Sequence, residues 1–200
     1  MCKKYFIFFF LITGFWFSSV HAASYKEGEA AFKNGKYKIA VAIWEELADE
    51  GDLAAQFKLA EMYEMGSGVK PNKETSFKFY SQAMEQGELD AQLKVGMFYM
   101  SGQGVKQNKE KARELYRKAA YQGHAKSQYY YGVSYFRGEG VPTDYVKANA
   151  WMRVAAKNGY THAKSSSEHI EAVLSRSDLK KSKDLTKKIL SEIKKVPANK

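Results

Sequence analysis

The segment Tyr135-Phe136-Arg137-Gly138-Glu139-Gly140-Val141-Pro142-Thr143-Asp144 has two earlier counterparts in the chain, Tyr99 to Asn108 and Tyr63 to Asn72. In all three, the tyrosine, a Gly-x-Gly-Val centre and a closing Asn or Asp keep their places at a spacing of 36 residues. Outward from this segment the same spacing holds for Gln56, Gln92 and Gln128, and for the small residues Ala60, Gly96 and Gly132. It holds as well for Ala83, Ala119 and Ala155, and for Gly51, Gly87, Gly123 and Gly159. So many residue types in register mark a repeat architecture, in which each copy is one supersecondary unit.

Each unit reads as two helices. Ala55, Leu59, Met62 and Tyr63 recur at the spacing of one helical face, as do Ala91, Val95, Phe98 and Tyr99, which places a helix A over about residues 53 to 65 of the first unit. Glycine accepts the left-handed conformation that closes a helix, so the Gly-x-Gly-Val stretch ends helix A, and valine drops back onto the core. Asn72, Asn108 and Asp144 are residue types that accept the orphan amides of a helix N-terminus, and a helix B starts after each. It carries Phe79, Tyr80 and Ala83 in the first unit, Leu115, Tyr116 and Ala119 in the second, and Trp151, Met152 and Ala155 in the third. Ala60, Gly96 and Gly132 stand among larger neighbours on helix A. A glycine inside a helix costs about 1 kcal/mol relative to alanine, which close helix-to-helix approach would justify.

With these motifs in hand, residues 53 to 160 resemble the Sel1-like repeats, relatives of the tetratricopeptide repeats with a longer loop between the two helices. Tyr135 to Ala148, continuing through Trp151 to Ala155-Ala156-Lys157-Asn158-Gly159, carries the likeness most fully. The resemblance implies an all-α, right-handed superhelix of antiparallel helix pairs, and a protein that acts as an interaction adaptor. Units of such arrays touch only their neighbours, so the ends need protection. Residues 23–52 hold Gly28, Gly35, Tyr37, Ala40 and Trp44 and resemble a tetratricopeptide pair with the short turn Asn34-Gly35-Lys36. Repeats are then expected at 53–88, 89–124 and 125–160. Residues 161–196 should hold a further helix A from about Thr161 to Leu174, then a closing helix. Ser175 and Asp178 suit its N-cap, and Leu179, Leu185, Ile189, Leu190 and Ile193 its apolar face. Pro197 opens a disordered tail, 197–200.

Residues 1–22 read as an export signal. Lys3 and Lys4 precede the apolar run Tyr5 to Phe17, which is too short for a permanent membrane span, and Val20 and Ala22 occupy the −3 and −1 positions of a cleavage site. The expected location is the periplasm or the outside. The lone cysteine, Cys2, falls in that segment, so the mature chain has neither disulfides nor a thiolate and depends on packed apolar surface. Loss of Lys3 and Lys4 lowers the formal charge of +10 by two. Most of the remainder lies in the last 25 residues, where nine basic residues face only Asp178, Asp184 and Glu192. That tail either is a solvated lysine face or contacts anionic lipid head groups or acidic wall polymers; export argues against nucleic acid as its partner.

Candidate chemistry is sparse. The Gly-x-Gly segments lie between helices and recur once per unit, unlike a phosphate-cradling loop that follows a strand. His124, His162 and His169 lack metal-ligand spacing, and Ser165 to Ser167 lack an activating neighbour, so no catalytic residue, metal or cofactor is expected. Cysteine-rich relatives in the repeat family are linked to β-lactam binding and hydrolysis, but the paired cysteines behind that activity have no counterpart here. A wall or β-lactam hydrolase is therefore the alternative to an envelope scaffold that binds another protein. Departures from the repeat mark the candidate docking face on helix A. Tyr130 stands where other units have Lys58 and Lys94, and Met97 and Val133 replace Glu61, at positions expected to be exposed. They read as partner anchors or as scattered surface apolars, and the oligomeric state is left open.

Overall fold

A computed structural model describes residues 24–193. Residues 1–23, with the expected export signal, and residues 194–200, with the expected disordered tail, lie outside the described residues. Among those residues ten α-helices and no strand are present. The chain divides into two compact units, one ending at Ala83 and the other beginning at Met84.

The N-terminal unit holds α1 (residues 24–33), α2 (Tyr37–Asp49), α3 (Leu53–Met65) and all but the last turn of α4 (Lys73–Glu85). The turn after α1 closes on Gly35 at φ 72°, with the Lys36 amide donating to the Ala31 carbonyl at 2.9 Å. Fully buried Trp44 on α2 packs against Tyr25 and Phe32 of α1, and Gly28 makes room for its indole. Helix α3 begins with Asp52 accepting from the Ala55 amide at 2.7 Å and ends on left-handed Gly66. It joins α4 through the Ser76 hydroxyl, which donates to the Ala60 carbonyl at 2.8 Å, and through the Tyr80 hydroxyl and Glu64 at 2.9 Å.

The C-terminal unit holds α5 (Leu89–Ser101), α6 (Lys109–Tyr121), α7 (Ala125–Arg137), α8 (Tyr145–Lys157), α9 (His162–Glu171) and α10 (Arg176–Ile193). Each of α5 to α8 packs on the next, and α10 lies across α8. The small-residue positions do what their cost demands. A methyl group on Gly96 would sit 2.5 Å from the Tyr116 ring, and one on Gly132 would sit 3.1 Å from the Ala148 carbonyl. The Asn and Asp caps also form: Asn72 Oδ1 accepts from the Thr75 amide, Asn108 Oδ1 from Lys111 and Asp144 Oδ1 from Lys147, at 2.8 to 3.0 Å. Burial works against the Asp144 carboxylate, but the Lys147 amide and ammonium hold its pKa below the usual range.

Three features exceed the sequence reading. First, the recurrent tyrosine anchors the loop through its backbone: the amides of Asn72, Asn108 and Asp144 donate to the carbonyls of Tyr63, Tyr99 and Tyr135 at 2.9 to 3.0 Å. Second, the recurrent glutamines are buried cross-braces. Gln56, Gln92 and Gln128 donate to the carbonyls of Ala48, Leu115 and Ala120 at 2.8 to 3.2 Å. Third, the second loop glycine is a packing device. A methyl group on Gly68 would lie 2.2 Å from Tyr37 Cβ, and one on Gly140 would lie 2.7 Å from the Lys109 carbonyl oxygen, so each loop rests on the first turn of an earlier helix B.

The closing region departs from expectation in two ways. The helix expected to reach Leu174 ends at Glu171, where the Leu174 amide turns back to the Ile170 carbonyl and the Leu174 side chain packs on the core. The buried face of α10 is also more polar than its leucines suggest. Ile189 is buried, but so are Ser182 and Thr186. Ser182 donates to Asn149 Oδ1 at 2.6 Å, and Asn149 donates onward to the Ser167 carbonyl at 2.9 Å. Ser175 and Asp178 form the expected cap, with the Asp178 amide donating to Ser175 Oγ at 3.1 Å.

Candidate partner-binding surface

The helix A face carries positions that recur every 36 residues. Four of the five expected anchors belong to the C-terminal unit, where α5 carries Lys94 and Met97 and α7 carries Tyr130 and Val133. Lys58 belongs to the N-terminal unit, on α3.

The structure corrects their exposure: all five are half-buried. Met97, Tyr130 and Val133 rest against the hydrophobic core of the C-terminal unit. Tyr130 leans on the buried ring of Tyr116 at 5.8 Å between centroids. Because Gly96 has no side chain, Tyr116 can press against α5, and its ring then forms a floor beneath Tyr130. Lys58 is engaged as well, 3.0 Å from Glu61 and 4.9 Å from the centre of the Phe32 ring.

What lies around Tyr130 was not singled out from the sequence. Tyr129 meets Tyr130 edge-on at 5.4 Å, Tyr160 meets Tyr129 at 5.1 Å, and exposed His162 meets Tyr160 at 5.7 Å. Together they make a contiguous aromatic strip from α7 to the start of α9. Its polar rim is the Tyr129 hydroxyl with Ser166 Oγ at 3.4 Å, and the ion pair of Lys126 with Asp90 at 3.0 Å. Burial, with Tyr130 and Tyr129 adding to it, pushes the Tyr160 hydroxyl pKa up. The run Tyr129-Tyr130-Tyr131 was a visible signal. Tyr129, in phase with Phe57 and Leu93, passes for a core position until α9 is placed beside it.

One arrangement has the outline of hydrolytic chemistry. His124 Nδ1 lies 2.8 Å from Ser127 Oγ, and its Nε2 lies 3.5 Å from Asp90 Oδ1. Ser127 is fully buried in the first turn of α7, so no substrate carbonyl reaches its hydroxyl. Among the described residues no cluster of His, Cys, Asp or Glu could hold a metal ion. No described helix is long and apolar enough to cross a membrane.

The model of the Sel1 repeat matches residues 53–88, 89–124 and 125–160. The chain belongs to the Sel1 repeat family. Sel1 repeats generally serve as protein–protein interaction scaffolds and are typically non-catalytic. A Sel1 repeat protein from Oxalobacter formigenes is similar in structure, with a TM-score of 0.61 and 34% identity over 68% of this chain and 56% of that one. The protective antigen c5321 of uropathogenic Escherichia coli has the same fold, with a TM-score of 0.50 and 24% identity over 86% of this chain and 46% of that one. This Sel1 chain thus spans about half the length of those two proteins. None of the curated proteins matches it.

Proposed function

We propose that this Sel1 repeat protein is an exported, non-catalytic scaffold that holds a protein partner in the cell envelope through the helix A face of its C-terminal unit. The aromatic strip of Tyr130, Tyr129, Tyr160 and His162 carries this reading. Half-buried tyrosines backed by a rigid core offer large contact area with little loss of side-chain freedom, the character of binding hot spots. The rim pair Lys126–Asp90 and the exposed His162 supply polar contacts around it.

The test is site-specific photocrosslinking in living cells from positions 126 and 162, at the edge of the strip, with a probe on the outer face of α10 as control. A protein captured from both strip positions and lost in the double variant Tyr129→Ser and Tyr160→Ser supports the reading; capture equal to the control from either position overturns it. Export is tested separately, by sequencing the N-terminus of the protein recovered from the envelope, which should begin at Ala23.

A second reading, attachment to an anionic envelope surface, is favoured by the exposed line Arg176, Lys180, Lys183 and Lys187 on α10. Because Ser182, Thr186 and Ile189 of the same helix are buried, deleting α10 would disturb the core. The charge reversals Lys180→Glu and Lys183→Glu test attachment without that damage, and unchanged envelope association would sink it.

A further inference from the structure

Arg113 on α6 is half-buried, yet no carboxylate pairs with it among the described residues. Its Nε–H donates to the Gly140 carbonyl and one terminal N–H to the Tyr131 hydroxyl, both at 3.2 Å. A guanidinium has five N–H donors, so three are left over. The hydroxyls of Tyr131 and Tyr135 lie 3.1 Å apart and share one hydrogen bond. Whichever of them donates, the other hydroxyl proton has no acceptor among the described residues.

Two more cations stand beside this pair. Lys147 Nζ lies 5.4 Å from the centre of the Tyr135 ring, which Arg113 also faces at 5.7 Å. Arg117, one turn further along α6, lies 5.6 Å from the ring of Tyr121, and Tyr121 and Tyr131 both pack on Trp151. Burial and the Tyr135 contact raise the Tyr131 pKa, while Arg113 and Arg117 pull it back, so both guanidinium charges are felt at the Tyr131 hydroxyl. The nearby acids leave Arg113 and Arg117 without an ion pair among the described residues. Asp144 is committed to Lys147 and to the first turn of α8, and Glu114 pairs with Lys118 at 3.0 Å. Glu192 of α10 acts on Tyr121.

We infer that Arg113, Arg117, Lys147 and the Tyr131–Tyr135 hydroxyl pair form a binding site for oxyanions, filled by the side-chain carboxylates of an acidic protein segment. The spare N–H and O–H donors match carboxylate acceptors, and an arginine fork suits their planar geometry. The three cations are spread over two turns of α6 and the start of α8, a layout for several carboxylates along a chain rather than for one compact phosphate. Bound carboxylates would also offset the mutual repulsion of the two guanidinium charges. The site is separate from the aromatic strip and does not depend on the scaffold reading.

The test is calorimetric titration of the purified protein at low salt with acetylated, amidated tetraglutamate, tetraglutamine as the neutral probe, and inorganic phosphate. Tetraglutamate should bind and tetraglutamine should not. The exposed substitutions Arg117→Gln and Lys147→Gln should each weaken binding about tenfold, the loss expected for one charge-assisted hydrogen bond, with unchanged thermal melts. Lys157→Gln, exposed at the far end of α8, should leave it unaltered. Tyr130→Ser should also leave it unaltered, which separates failure here from failure of the scaffold reading. No binding of tetraglutamate, or an equal loss in the Lys157 variant, overturns the site; phosphate binding as tightly as tetraglutamate overturns the assignment to carboxylates.

Discussion

Replacing Gly140 by alanine would place a methyl group 2.7 Å from the Lys109 carbonyl oxygen, on a backbone held at φ 70°. Two costs combine. An L-residue in the left-handed region costs about 1–2 kcal/mol. Relieving the overlap means lifting the loop from the first turn of α6, and overpacking of that kind costs about 1–3 kcal/mol. The lift also stretches the 3.2 Å bond from Arg113 to the Gly140 carbonyl. Gly159 provides the control, since it sits at φ 95° with nothing within 4 Å of an added methyl. Gly159→Ala should therefore cost only the conformational part, about 1–2 kcal/mol, and Gly140→Ala about 2–5 kcal/mol. Urea denaturation followed by circular dichroism measures the difference, and in a domain of this size each kcal/mol lowers the Tm by about 2–4 °C. Equal losses in the two variants would refute the packing role of the second loop glycine and leave it an ordinary turn residue.

Ser182→Ala should destabilise the protein by about 1–3 kcal/mol, because the fully buried Asn149 Oδ1 loses its donor, and thermal melts will report it. The adjacent exposed Lys183→Ala should be close to neutral. Asn108→Ala should cost about 1 kcal/mol by uncapping α6, while Gln122→Ala at the other end of that helix should cost little. His124 supplies a pH signature. Burial lowers its pKa below the ordinary 6.5, against the pull of Asp90 and Glu88 and with help from Lys126. The unfolded chain therefore takes up this proton first as pH falls, so stability should decline below about pH 6.5. His124→Asn should flatten that part of the stability-versus-pH curve, and an unchanged slope would exclude His124 as its source.

Much of the architecture was legible because its causes are local and repeated. A left-handed glycine ends a helix wherever it stands, and Asn or Asp caps the next one from three residues away, so Gly66, Asn108 and Asp144 could be interpreted one at a time. The 36-residue spacing supplied the check on each. The docking face was legible only in outline. Departure from the repeat pointed to Tyr130, but exposure inferred by analogy with Lys58 and Lys94 ignored what an aromatic ring does near an apolar floor. Tyr130 settles onto Tyr116, and the exposed ring of the strip is His162, beyond half-buried Tyr160 on the following segment.

From the sequence alone came the helix pairs, their boundaries to within a few residues, and the need for close approach at Ala60, Gly96 and Gly132. Tertiary structure alone decided which side chains meet across the repeats. Asn149 with Ser182 and Arg113 with Tyr131 are contacts between residues 33 and 18 positions apart in the chain, and neither joins residue types that the other units repeat. Periodicity reports only what every unit shares, because it reflects local backbone geometry and the common packing face. Specific polar and cationic clusters depend on the relative placement of neighbouring helices, which a sequence expresses only after it has folded.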